Sequence, residues 1–203
     1  MPIPLSMALY DFLPNIIFAF GVYWLWRGPY RSWLFATGAL LVFANGITKA
    51  VWKLIIALGG PDVTWLSEIF VFLLSTGFVM MFIAVLLVAR SEGKETQAQP
   101  SAAKSTPLLA VPPFMAAWKV PFMVLTTLAV VATFSLWIAA AAKRKNTRAV
   151  IGFAAGLACM LGMSALSGSS MVIGLHWVAQ TVNTVGQACF AFAAYSFTRP
   201  HAV

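Results

Sequence analysis

Acidic side chains are scarce in this chain: five Asp and Glu stand against 13 Lys and Arg among 203 residues. Charges of both signs make up only 9% of the sequence, whereas a soluble domain averages ~25%. That shortage excludes an ordinary water-soluble surface. Cysteine and histidine are rarer still, at two each. Cys159 and Cys189 both lie inside apolar runs, and no C-x-x-C spacing occurs. A disulfide framework and a thiolate metal site are therefore excluded. His201 falls beyond the last apolar run, so it cannot pair with His176 around a haem within a membrane. No P-loop, H-E-x-x-H or strand–G-x-G-x-x-G–helix pattern is present, and no Ser-His-Asp set can be assembled. The sequence implies no cofactor and offers no catalytic motif.

What the chain does contain is apolar surface. Hydrophobic residues make up 61% of it, and the mean hydropathy is +0.89. That surplus exceeds what one soluble core of this size can bury, so the lipid bilayer is the expected solvent. The net charge of +8 does not point to nucleic acid, because Arg27, Arg31, Arg90, Lys119, Lys143, Arg144, Lys145, Arg148 and Arg199 flank the apolar runs as membrane-edge anchors do. Tyr23, Trp24, Trp26, Tyr30, Trp33, Trp65, Trp118, Trp177 and Tyr195 form the matching interfacial belt. Met1 to Phe20 has no basic n-region and carries Asp11 and Asn15, so it reads as a retained first helix and not as a cleaved leader.

A membrane-spanning helix needs ~20 mostly apolar residues. Six segments qualify: Met7–Trp26, Trp33–Leu58, Thr64–Ala89, Val120–Ala142, Ala149–Leu166 and Met171–Phe197. The expected fold is all-α, a polytopic six-helix transmembrane bundle in the plasma (inner) membrane. It divides into a first three-helix half (1–90), a linker with a short interfacial segment (91–118) and a second three-helix half (119–203). Ser91 to Pro107 is polar and reads as a disordered linker. Leu108 to Trp118 is apolar, but it is 11 residues long with Pro112-Pro113 inside, too short to cross as a helix.

The halves carry matching features in the same order, which reads as an internal repeat. Pro14 corresponds to Pro121, Arg31 to Arg148, Trp65 to Trp177, Gly77 to Gly186 and Arg90 to Arg199, at offsets of 107 to 117 residues. With six crossings the second copy is inverted, an architecture shared by many secondary transporters. The charge rule then leaves orientation open, with six basic residues on one side and five on the other. A seventh crossing near Pro112-Pro113 would gather nearly all of them on one side.

Ionisable groups at membrane depth cost ~2.5–3.5 kcal/mol on insertion scales and mark functional candidates. Asn45, Lys49 and Lys53 recur at i, i+4, i+8 on one face of the second helix. Glu68 lies at similar depth in the third, so a Lys53–Glu68 ion pair is expected, with Lys49 as the alternative partner. His176, Gln180, Asn183, Thr184 and Gln187 form a polar stripe on the sixth helix. Ser75 and Thr76, after Glu68, are expected to mirror Asn183 and Thr184. Asp11 and Asn15 share a face of the first helix. Gly152-x-x-x-Gly156 marks close packing, within the fold or in a homodimer.

Three functional readings fit this pattern. The first is a small permease or channel, with Glu68, Lys49, Lys53, Asn45, His176, Gln180, Asn183, Gln187 and Asp11 lining a polar pathway. The second is a non-catalytic subunit or anchor among other membrane subunits, its stripes serving as packing surfaces. The third is a membrane-embedded enzyme acting on lipid.

Overall fold

The structure is a computed structural model that describes residues 4–92, 119–167 and 173–199. Within these residues it is entirely helical. The first rod consists of α1 (Leu5–Tyr10) and α2 (Phe12–Arg27), interrupted at Asp11. The break follows from Pro14, which has no N–H to give the Tyr10 carbonyl and whose ring crowds that oxygen. The Asn15 side-chain amide donates instead to the Asp11 carbonyl at 2.8 Å. Next come α3 (Trp33–Ala57), α4 (Thr64–Glu92), α5 (Lys119–Lys143), α6 (Thr147–Ser167) and α7 (Ile173–Thr198).

The helix ends obey local chemistry. Ser32 opens α3 by accepting from the Phe35 N–H at 3.2 Å. Asn146 opens α6 by accepting from Ala149 at 3.1 Å, and it ties that end to α7 by donating to the Ser196 carbonyl at 2.8 Å. Two helices close with the same paired turn. Gly60 and Gly59 donate back to Ile55 and Ile56 at the end of α3, and Asn146 and Lys145 donate back to Ala141 and Ala142 at the end of α5. The turn requires a left-handed residue. Gly59 supplies it at φ 78°, and Lys145 supplies it at φ 54°.

Among the described residues, four segments are long and apolar enough to cross a membrane: Leu5–Arg27, Trp33–Ala57, Glu68–Ser91 and Val120–Lys143. At ~1.5 Å per residue each exceeds the ~30 Å hydrocarbon layer. Thr147–Met163 is a shorter apolar stretch. Residues of the linker and of the Leu108–Trp118 segment from 93 onward lie outside the described residues.

The helices form a closed ring in chain order, with α7 packed back against α2. Contacts along each pair give its direction. From the first rod to α7 they advance together: Tyr10 meets Trp177, Phe18 meets Phe190, and Trp24 meets Tyr195. These two run parallel. By the opposite progression α2 and α3 are antiparallel, through Tyr30–Phe35 and Asp11–Lys53. So are α3 and α4, through Gly38–Met81 and Lys49–Phe70. The pairs α5–α6 and α6–α7 are antiparallel too, through Trp137–Phe153 and Phe134–Gly156, and through Asn146–Ser196 and Gly156–Gly186. Between α4 and α5, Phe72 meets Phe122 and Ser75 meets Thr126, a parallel progression.

The second half therefore runs in the same direction as the first. This corrects the inverted arrangement expected from six crossings. The chain leaves α4 at one end of the bundle and enters α5 at the other.

Packing alternates in step around the ring. The most extensive interfaces are α3–α4 and α6–α7, followed by α7–α2 and α4–α5, and then α5–α6 and α2–α3. Glycines set the closest approaches. A Cβ on Gly38 would lie 2.7 Å from the Gly77 carbonyl, and one on Gly77 would lie 2.7 Å from the Gly38 carbonyl. In the other half a Cβ on Gly152 would lie 2.8 Å from the Ala193 side chain, and Gly156 faces Gly186. The Gly152–Gly156 seam thus packs within this chain, against α7.

Candidate functional site

Between the six helix positions lies a cavity of about 200 Å³, to which every one of them contributes. Its lining divides into two arcs. The α1/α2 rod, α3 and α7, adjacent in the ring, supply Asp11, Asn15, Asn45, Lys49, Gln180, Asn183 and Gln187. The α4, α5 and α6 side supplies Phe70, Leu74, Phe78, Val130, Met160, Leu161 and Met163, with Thr126 and Thr127. Both threonine hydroxyls donate to their own helix, to Phe122 at 2.7 Å and Met123 at 3.0 Å, which mutes their polarity toward the cavity. One side of the chamber is amide- and charge-lined, and the other is hydrocarbon.

The spacing within each helix explains the polar arc. Asn45 and Lys49 lie one turn apart, with Val42 and Gly46 beside them on the same face. Gln180, Asn183 and Gln187 follow i, i+3, i+7 along α7, while Val178, Val185 and Phe192 point outward. The break at Asp11 brings that carboxylate onto the inner face with Pro14, Asn15 and Phe18.

Asp11 and Lys53 form a buried ion pair at 2.5 Å, both side chains under one-tenth exposed. This is a correction, since Lys53 was expected to pair with Glu68. The depth argument was sound, but α3 has two flanks. Lys53 turns to the first rod, not to α4. Lys53 does not line the cavity, so it neutralises Asp11 from behind. The second carboxylate oxygen, Asp11 Oδ1, is buried without a hydrogen-bond partner, and so is Asn45 Oδ1.

Lys49 lines the cavity with its ammonium 5.0 Å from the centre of the Phe70 ring. Such a contact contributes roughly 0.5–2 kcal/mol. No carboxylate among the described residues stands within ion-pair distance of it. Counting the Asp11–Lys53 pair as neutral, a protonated Lys49 gives the chamber one positive charge.

Of the nine sequence candidates, Asp11, Asn45, Lys49, Gln180, Asn183 and Gln187 meet at the cavity, and Lys53 lies behind it. Glu68 and His176 are half-buried and are not among its lining. The expected mirror of the α7 stripe on α4 is also absent from the lining. Ser75 is buried against α5, with its hydroxyl on the Phe122 carbonyl at 2.9 Å, and Thr76 is exposed on the outer face. Phe70, Leu74 and Phe78 take that place. Asn15, Thr126 and Thr127 were missed as lining residues. Asn15 was signalled by its i+4 spacing from Asp11, whereas nothing distinguishes the two threonines from other polar punctuation in an apolar helix.

Among the described residues no group of three or more His, Cys, Asp or Glu side chains is placed to hold a metal ion. No protein-family model, curated protein or solved structure matches this chain. The functional reading therefore rests on the geometry of the site.

Proposed function

We propose that this chain is a small permease of the plasma (inner) membrane, with the central cavity as its substrate site. The observation that carries the reading is a single chamber to which all six ring helices contribute and which holds buried charge and carboxamides at membrane depth. Such groups are costly in hydrocarbon and persist where a pathway or binding site uses them. Outward-facing Ile16, Leu40, Leu87, Leu128, Ile151 and Phe192 give all six ring helices a lipid-compatible exterior, and Ile83 and Val185 extend it along α4 and α7.

In this reading all six ring helices cross the bilayer and the halves are parallel repeats related by an axis along the membrane normal, with the substrate site on that axis. The alternating packing and the paired glycine crossings support the duplication. Arg27, Arg31, Arg90, Lys143, Arg144, Lys145, Arg148 and Arg199 then share one end of the bundle, which faces the cytoplasm by the positive-inside rule. The cavity lies in the other half, toward the exterior.

Thiol accessibility tests the reading. With Cys159 and Cys189 replaced by alanine, single cysteines at Lys49 and Asn183 are challenged with a membrane-impermeant maleimide. Labelling from the face opposite the basic end is expected. Protection from both faces would make the polar arc a sealed packing surface and favour a non-catalytic subunit instead.

A further inference from the structure

The cavity's unbalanced charge and its two-sided lining define a ligand. We propose that it binds a small organic monocarboxylate bearing a hydroxyl group. The proposal rests on the permease reading for its transport role, but not for the binding itself.

Lys49 is the origin of the argument. Its ammonium lines the chamber, and Asp11, the carboxylate that shares that chamber, is engaged by Lys53 at 2.5 Å. A cationic ligand would add to the surplus charge, and a dianion would reverse it. One carboxylate matches it, through a charge-assisted hydrogen bond from Lys49. Gln180 and Asn183, on the same polar arc, carry N–H donors for the carboxylate's remaining lone pairs.

Two bare acceptors call for a donor. Asp11 Oδ1 and Asn45 Oδ1 are buried without partners, on residues that are 6% and 3% exposed and that line the cavity. Once a side-chain shift opens them to the chamber, a ligand hydroxyl supplies that donor without adding charge. The α4–α6 arc of Phe70, Phe78 and Met160 receives the ligand's carbon skeleton. Size follows from volume: a cavity of ~150 Å³ accepts benzene, so about 200 Å³ takes a molecule of roughly six to ten non-hydrogen atoms.

The test is calorimetric binding to the full chain in lipid nanodiscs. Probes run from lactate to 4-hydroxybenzoate, with the matching amides, benzoate, glycine and tetramethylammonium alongside. At least one hydroxycarboxylate is expected to bind, with its amide about tenfold weaker or worse. Lys49→Gln should weaken it by a similar factor and Lys49→Arg should retain it. Lys49 is outside the buried ion pair, so Lys49→Gln is expected to fold, and an unchanged melting profile checks this.

Binding by none of the hydroxycarboxylates overturns the proposal. So does an amide or tetramethylammonium that binds as well, or tighter binding of zwitterionic glycine. Equal affinity for benzoate and 4-hydroxybenzoate, with no advantage for lactate, would overturn the hydroxyl assignment. The two readings fail separately. Binding without uptake of the same radiolabelled acid into proteoliposomes would sink the permease and leave the ligand class standing. A cavity that labels from the exterior but binds no carboxylate would do the reverse.

Discussion

Toward the basic end of the bundle, Tyr30, Phe35, Phe134, Trp137, Phe153, Phe190 and Phe197 pack ring against ring, with centroids 5.1 to 6.5 Å apart. Toward the other end the same helices separate around Asp11, Asn45, Lys49, Gln180 and Asn183. The first region is closed by aromatic side chains from both halves. The second keeps a chamber lined by Asp11, Lys49 and carboxamide side chains. Close packing is concentrated where rings interdigitate, and the candidate binding site where they are missing. On the proposed permease reading, the aromatic end is the closed cytoplasmic side and the chamber opens toward the exterior.

Substitutions can break that contrast, and their effects should fall in order. Trp137 is fully buried at the centre of the aromatic end. Trp137→Ala should cost about 3–5 kcal/mol, read as a large fall in thermal unfolding temperature in detergent. Lys53→Met should cost about 3 kcal/mol, because it strands the Asp11 carboxylate. Adding Asp11→Asn should recover much of that loss, whereas a surface role for Lys53 would give no recovery. Lys145→Gly should stabilise by roughly 0.5–1 kcal/mol, since glycine adopts the left-handed turn without strain. Gln180→Ala should shift stability least, by about 0.6 kcal/mol, yet weaken ligand binding. A Gln180, Asn183 or Gln187 variant that lowered stability as much as Trp137→Ala would erase the distinction between the two regions.

Much of this architecture can be read from the chain because apolar run length is a strong signal. Trp33–Leu58 and Val120–Ala142 match α3 and α5 to within a residue. The break at Asp11 was also legible in principle, since Pro14 denies Tyr10 its hydrogen bond. Helix direction in the second half was not. It depends on how often the chain changes face between Glu92 and Lys119, and a short segment with Pro112-Pro113 gives no helical signal for a crossing. The site was partly legible. Periodicity puts Asn45 with Lys49, and Gln180 with Asn183 and Gln187, on common faces. Periodicity does not say which neighbour each face meets, so Lys53 was assigned to Glu68 when its partner is Asp11. Nor did the approximate repeat predict that α4 lines the chamber with Phe70, Leu74 and Phe78, where α7 uses amides.

The most direct test of the account is the side of the membrane on which the two basic turns lie. In the cysteine-free background, Arg27→Cys and Lys145→Cys each place one exposed thiol at corresponding ends of the two halves. Intact cells and inverted vesicles are then treated with an impermeant maleimide. Parallel halves predict that both positions label from the cytoplasmic face and neither from outside. Labelling of one from each face would contradict the parallel arrangement, and with it the cavity on which the proposed function depends.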